Sequence, residues 1–459
     1  MMTKKILRFI LLLLAGALAY GIYYCWTSFP ILTGYSAKLM CSGLFVSERT
    51  EEDILAKDLS EKLMRLATCK VDYKDSSVTA SVWGMAKQKA IFRKGLGATL
   101  VSEYSEADIR HQAFPKPTPP SINTDTIDWP LGNHVADSIV PGVDYDVVKN
   151  ICSGVMNETW ENTPSNTYAL MVVYKNQIIT EQYANGINVN TKLLGWSMAK
   201  SITATLIGIM TKANELNVQS PVGFKEWAND DRKNITIENL LHQSSGLDFL
   251  EDYAKSSSVT NMLFRKADMG AYTATHLLKY KPGSMFSYTS GNTNMLCRLM
   301  RQKKGEDWFT FPYRELFYNI GMYHTLLEPD AAGTYVGSSY VYASARDYAR
   351  FGLLYCNNGN AGGHQILPEG WISAVSKPAP SDLQKHYGYQ FWLNGYTDTT
   401  CTKSIYPEAP ADLLCADGYK GQRIIIIPSQ QLVVVRLGGN SWDEHQFLQQ
   451  LLPALGIKS

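Results

Sequence analysis

The sequence predicts an α+β fold, with a sheet assembled from strands at the two ends of the region spanning residues 144–459 and a helical lobe inserted between them. Three observations predict it. Strand-like runs at Ala169–Tyr174 and Ile178–Tyr183, joined by Lys175-Asn176-Gln177, are followed by no comparable run until Tyr387–Leu393 and Arg423–Leu437. From Ser197 to Pro378, helical and loop segments dominate instead. Within that stretch, Ser201–Met210 is apolar nearly all round, which places its helix inside a domain rather than on a surface.

From the N-terminus, Lys4, Lys5 and Arg8 precede an uncharged apolar run from Phe9 to Trp26, with Tyr20, Tyr23, Tyr24 and Trp26 gathered at its far end like an interfacial belt. Residues 1–32 therefore read as a membrane anchor whose basic flank stays inside while the rest lies outside. In a bacterium that is a single-pass inner-membrane protein with its catalytic domain in the periplasm. Ala17-Leu18-Ala19 offers a signal-peptidase site, so secretion to the periplasm after cleavage is the competing expectation.

Residues 33–113 read as a small α+β region, with a helix over Glu51–Leu66 and strands over Ser77–Trp83 and Lys89–Arg93 split by Gly84. Left alone, so small a unit would expose its apolar faces, so it is expected to dock on the main domain. Phe114-Pro115-Lys116-Pro117-Thr118-Pro119-Pro120 opens a stiff, extended linker spanning residues 114–143. The catalytic region, residues 144–459, begins with a helix over Tyr145–Glu161 and ends with one over Asp443–Leu455.

Charge and composition exclude several functions. With 43 basic and 42 acidic residues there is no electrostatic footprint for nucleic acid, so no nucleic-acid partner is expected; a small-molecule or peptide substrate fits better. The 8 histidines contain no His-Glu-x-x-His pair, and Gly95-Leu96-Gly97 lacks the third glycine of a dinucleotide site. No metal and no cofactor are expected. The 8 cysteines contain no Cys-x-x-Cys; an oxidising compartment would make Cys401–Cys415 and Cys41–Cys69 the first pairs to check.

The chemistry is carried by Ser197-Met198-Ala199-Lys200 at the mouth of the apolar helix, the only Ser-x-x-Lys in the chain. Positions i and i+3 share a helix face, so the Ser197 hydroxyl and Lys200 amine emerge side by side. Burial would lower the lysine's pKa and let it take the serine's proton. Lys281-Pro282-Gly283 then turns the chain into Phe286-Ser287-Tyr288, delivering a tyrosine hydroxyl to a loop that runs into the helix over Met295–Arg301. Near the C-terminus, Asp417–Gln422 leads into a buried hairpin, and its backbone N–H groups could face the N–H of Ser197 across an oxyanion hole. The competing view of each is bland: Ser197 as a cap, Lys200 reaching solvent, Tyr288 as one of 27 tyrosines. His242 reads as a structural residue at a helix end.

Together with Leu240–Leu247 and Ala343–Gly352, these three elements resemble the serine hydrolases of the β-lactamase and penicillin-binding superfamily, in the branch of class C β-lactamases, their esterase relatives and 6-aminohexanoate-dimer hydrolase. The resemblance implies a β-lactamase/transpeptidase-like antiparallel sheet flanked by helices. It implies Ser197 as acylated nucleophile, Lys200 as general base and Tyr288 as second proton-transfer group, with Ser290, Lys420, Gly421 and Gln422 as substrate-binding residues. Ser290 stands where the family often has the Asn of Tyr-x-Asn. The nearest match to its Lys-Thr-Gly is Tyr419-Lys420-Gly421, the other register being Leu413-Leu414-Cys415. Both departures favour an amidase or esterase; a D-amino-acid peptidase or β-lactamase is the alternative, and an inactive scaffold of the same fold the alternative of another class.

Overall fold

The first forty-odd residues form one unbroken helix whose two halves have opposite surroundings. In the computed structural model, which describes residues 2–158 and 165–457, α1 spans Met2–Phe45. Its first half is bare: Leu12 is 72% and Trp26 76% exposed. Its second half, from Thr33 to Gly43, is buried. It packs across a four-stranded antiparallel sheet of β1 (Ala67–Asp72), β2 (Ser77–Val82), β3 (Met85–Arg93) and β4 (Gly97–Val101).

The helix expected over Glu51–Leu66 is shorter. Here α2 spans Glu51–Lys57, and the chain turns where Asp58 pairs with Arg49 at 2.6 Å, resuming as a 3-10 turn at Met64–Leu66. The N-terminal module and the main domain share one apolar core. Tyr35, Met40 and Ile54 pack with Met262, Leu263 and Phe264 across the boundary. A buried ion pair clamps it further: Lys38 of α1 meets Glu328, which also accepts from Ser42 Oγ at 2.9 Å and from the Ala98 N–H at 2.6 Å. A charge this deep persists only with such partners.

In the main domain, α3 (Tyr145–Met156) ends before Glu161, the expected terminus, which lies outside the described residues. Then come β5 (Thr167–Tyr174), β6 (Gln177–Tyr183), β7 (Leu193–Leu194) and α4 (Met198–Lys212). Short helices lead to α5 (Ser290–Lys304), β8 (Thr325–Leu327), β9 (Val341–Ala343) and α6 (Ala345–Cys356). The chain closes with β10 (Trp392–Leu393), β11 (Leu414–Gly418), β12 (Gln422–Ile427), β13 (Leu432–Gly438) and α7 (Glu444–Ala454).

The central sheet is antiparallel, in the order β10-β11-β12-β13-β5-β6, so both ends of the region build it as expected. Its inner strands carry long apolar runs, Ile424–Ile427 and Leu432–Val435, because both faces are covered. Met171, Ile424 and Val433 point into one core with α4 and α6, while Leu170, Ile425 and Val434 point into another with α3 and α7. Two expectations fail locally. Tyr387–Leu393 forms a strand only at its last two residues, because the chain turns back on itself, with Gln390 at a φ of 58° and Tyr387 bridged to Trp392. All eight cysteines are free, so neither Cys401–Cys415 nor Cys41–Cys69 forms.

Candidate active site

The nucleophile position is prepared by a sharp turn. Between β7 and α4, Trp196 has a φ of 49°, a left-handed conformation that costs a bulky residue energy and persists only where packing imposes it. Trp196 is held by stacking on Tyr35 at 6.1 Å. The turn leaves Ser197 at the N-cap of α4 with no capping bond from its side chain. Its hydroxyl instead accepts from Lys200 Nζ at 2.9 Å.

Every residue from Met198 to Met210 in α4 is buried, which is what an all-round apolar helix requires. Lys200 is 1% exposed. Burial pulls its amine down to about 8, against the opposing pull of Glu251 and Asp417. Besides Ser197 it donates to Ser290 Oγ at 3.1 Å and to the Ser338 carbonyl at 3.0 Å. An amine with three fixed acceptors is aimed as well as desolvated.

Tyr288 is delivered by the loop after Pro282, and that loop hangs on Gln243. The Gln243 carbonyl accepts from the Ser287 N–H at 2.8 Å, and its Oε1 accepts from the Thr289 N–H at 3.1 Å and Asn292 Nδ2 at 2.8 Å. The Leu240–Leu247 segment thus serves to hold the tyrosine. His242, at the end of the helix Ile237–Leu241, lies 3.3 Å from the Lys377 carbonyl. The Tyr288 ring stacks on Trp392 at 5.5 Å, Tyr288 and Ser197 line the same cavity, and Lys200 Nζ lies 4.8 Å from the ring centre. Burial pushes the phenol well above its usual range, so it stays protonated and able to donate.

Ser290 is fully buried behind Lys200 rather than facing a substrate. Its hydroxyl donates to Glu251 Oε1 at 2.5 Å, and its N–H to Glu251 Oε2 at 2.8 Å. The role expected for it therefore shifts from touching substrate to fixing the base. Glu251 gave no signal in the sequence, because it reaches the site through a loop that only tertiary packing defines.

The third element corrects both expected registers. Ala416-Asp417-Gly418, at the end of β11, is the segment beside the nucleophile: a Cβ on Gly418 would lie 2.2 Å from the Gly195 carbonyl, so only glycine lets the strand approach. Lys420, Gly421 and Gln422 turn away. Lys420 pairs with Glu61 at 3.3 Å, Gly421 packs against Arg436, and Gln422 accepts from the Gly438 N–H at 3.0 Å. Where the family often carries a cation, the pocket receives Asp417, whose carboxyl burial raises to about 6 despite its pairing with Arg423.

Ser197, Tyr288, Asp417 and Tyr419 line one cavity of about 310 Å³. Most of its remaining wall is apolar or aromatic, including Trp196, Phe264 and Trp392. Among the described residues, no group of three or more His, Cys, Asp or Glu side chains is placed to hold a metal ion.

An antiparallel sheet with a Ser-x-x-Lys helix beneath it and a tyrosine loop beside it defines the β-lactamase type of protein. The profile of the Beta-lactamase family matches residues 156–440, and the chain belongs to that family. It is 23% identical over 305 residues to the 6-aminohexanoate-dimer hydrolase of Paenarthrobacter ureafaciens, covering 61% of this chain and 73% of that one. Among solved structures it is similar to one assigned provisionally as a 6-aminohexanoate-dimer hydrolase from Bacillus anthracis, with a TM-score of 0.55 and 21% identity over 66% of this chain and 81% of that one. EstCE1, a hydrolase with promiscuous acyltransferase activity, gives a TM-score of 0.52 and 14% identity over 68% of this chain and 99% of its own. Each of these three proteins carries the name of a hydrolase.

Proposed function

We propose that the protein is a serine hydrolase that forms an acyl-enzyme on Ser197 and cleaves an amide or ester. The observation that carries the proposal is the 2.9 Å contact between Ser197 Oγ and a buried lysine amine whose pKa lies near 8. Neutral Lys200 accepts the hydroxyl proton as Oγ attacks the substrate carbonyl. The oxyanion forms against the backbone N–H groups of Ser197 and Tyr419, two residues that line the cavity. Collapse expels the leaving group, which takes a proton relayed from Lys200 through Tyr288. Water then attacks the acyl-enzyme, losing its proton to the same pair, and Ser197 is restored.

Asp417 points the substrate away from β-lactams and carboxy-terminal peptides. A carboxylate ligand would enter a cavity whose charged wall residues among those described, Glu61 and Asp417, are acidic and already held by Lys420 and Arg423, so it would be desolvated with no free cation to meet it. A neutral ester or amide meets no such penalty.

The anchor reading is part of the proposal. The described chain has one helix long and apolar enough to cross a membrane, with an exposed apolar window. The continuity of α1 with the core of the N-terminal module supports retention rather than cleavage, and the basic flank at Lys4, Lys5 and Arg8 supports a periplasmic catalytic domain in a bacterium.

Mass mapping after treatment of the full-length protein with a fluorophosphonate tests the chemistry. Labelling confined to Ser197, and abolished by Ser197→Ala, is the expected result. Folded protein that takes no label overturns the proposal.

A further inference from the structure

The anchor helix does not stop at the membrane; it supplies part of the active-site wall. Ile31 and Tyr35 of α1 line the same cavity as Ser197 and Tyr288. Glu61 and Met64, also from the N-terminal module, complete that side. A second apolar hollow of about 130 Å³ shares Ile31, Met64 and Tyr253 with the first and extends outward to Tyr24 and Phe29. A third, of about 770 Å³, shares Phe29 with the second and lies against Ala17, Ile22 and Trp26 in the bare half of the helix. The three hollows follow one helix from its lipid-length segment to the nucleophile. Trp26 and Tyr35 are nine residues apart, a rise of about 14 Å.

The rim of this route is also apolar and uncovered. Trp83 is 71%, Leu63 59% and Met85 53% exposed, and they cluster with Trp26 and Leu66 around the second and third hollows. Exposed apolar surface gathered at the foot of an apolar helix fits the headgroup and acyl boundary of a bilayer. The clamp of Lys38 on Glu328 fixes α1 against the main domain, so the route is built in rather than left to a hinge.

We propose that the substrate is a long-chain acyl ester or amide, uncharged at its scissile end, that enters laterally from the bilayer and lays its acyl chain along α1 toward Ser197. This rests on the hydrolase and anchor readings above and names the substrate class for that site. The apolar walls keep the chain out of water as it leaves the bilayer, and the reacting end, where Glu61 and Asp417 are already paired with Lys420 and Arg423, offers an anionic group no free cation among the described wall residues. In the chemistry, the fatty acyl group passes to Ser197 Oγ, the alcohol or amine leaves with a proton, and water releases the fatty acid.

The test uses full-length protein in phosphatidylcholine liposomes with p-nitrophenyl butyrate and p-nitrophenyl palmitate. The expected kcat/KM ratio, palmitate to butyrate, is at least 10, and Ile31→Trp lowers that ratio at least 10-fold by blocking the route. Met64→Trp, on the same side of the cavity but outside α1, is expected to do the same and guards against misfolding of one variant. Palmitate placed in the protein's own liposomes should turn over at least 10 times faster than palmitate confined to separate protein-free liposomes, which distinguishes lateral entry from capture out of water. A palmitate-to-butyrate ratio below 1, a ratio unmoved by both variants, or equal rates in the two liposome arms overturns this inference while leaving the hydrolase intact. Turnover of neither ester, with Ser197 unlabelled, overturns the hydrolase reading itself, and this inference with it.

Discussion

Removing the charge of Glu251 should make the enzyme work at lower pH. Ser290 Oγ sits 3.1 Å from Lys200 Nζ and 2.5 Å from Glu251 Oε1, so the two charges are no more than about 5.6 Å apart. At an effective dielectric constant of about 20, that separation corresponds to about 3 kcal/mol, or about 2 pH units of support for the ammonium. Glu251 is only half-buried, so water reduces the effect to about 1–2 units. Glu251→Gln removes the charge and keeps one carbonyl oxygen to accept from Ser290, giving up the second of its two hydrogen bonds from that residue. Because the base acts in its neutral form, wild-type acylation should rise with pH to a midpoint near 8, with about a tenth of the sites competent at pH 7. In the variant the midpoint should fall to about 6–7. The assay is the burst of p-nitrophenol from p-nitrophenyl butyrate, measured by stopped flow from pH 5.5 to 9.5. At pH 6.5 the variant should acylate on the order of 10-fold faster than wild type, while above pH 9 it should be slower, since a weaker base pulls less on the hydroxyl proton. A midpoint that stays at 8 or moves upward would refute the assignment of Lys200 as base and of Glu251 as its electrostatic counterweight.

Three other perturbations test separate parts of the structure. Tyr288→Phe keeps the ring against Trp392 and removes the phenol, so kcat should drop by about 10²-fold or more with the melting temperature unchanged. Gly418→Ala forces a methyl group toward the Gly195 carbonyl, so β11 must retreat; about 1–3 kcal/mol of stability should be lost, along with most of the activity, read by thermal melts and ester turnover. Lys38→Met strands the Glu328 carboxylate in the core at a cost of about 3–5 kcal/mol, and Lys38→Met/Glu328→Gln should recover much of it, as measured by thermal melts in detergent.

The parts of this architecture legible in the sequence are those written in local pattern. The apolar all-round helix after Ser197 fixed both the burial of Lys200 and its one-turn spacing from the serine, because helical geometry needs no tertiary information. The β5–β6 hairpin and the pair β12–β13 were readable for the same reason. β11 was not: Leu414–Gly418 is a short run ending in Asp-Gly, as compatible with a loop as with a strand, and only its close approach to Gly195 reveals its register. Glu251 and Ser290 act together across 39 positions of sequence through a loop without periodicity. Ile31 and Tyr35 were hidden differently, since a continuous apolar helix gives no sign of where its exposed half ends and its buried half begins.

The site's electrostatics follow from that misread register. With Lys420 turned outward to Glu61, the pocket holds one amine, Lys200, between two acidic side chains that both favour its charged form. A lysine so placed would stay protonated in water, yet its pKa lies below the ordinary value, so desolvation must outweigh both carboxylates. The burial that achieves this comes from α4 on one side and from the shared core on the other, where Tyr35 stacks on Trp196 beside the nucleophile. The N-terminal module is therefore tied to the proposed chemistry: loosening α1 would admit water to the cavity, return Lys200 toward its ordinary pKa and silence Ser197 at neutral pH.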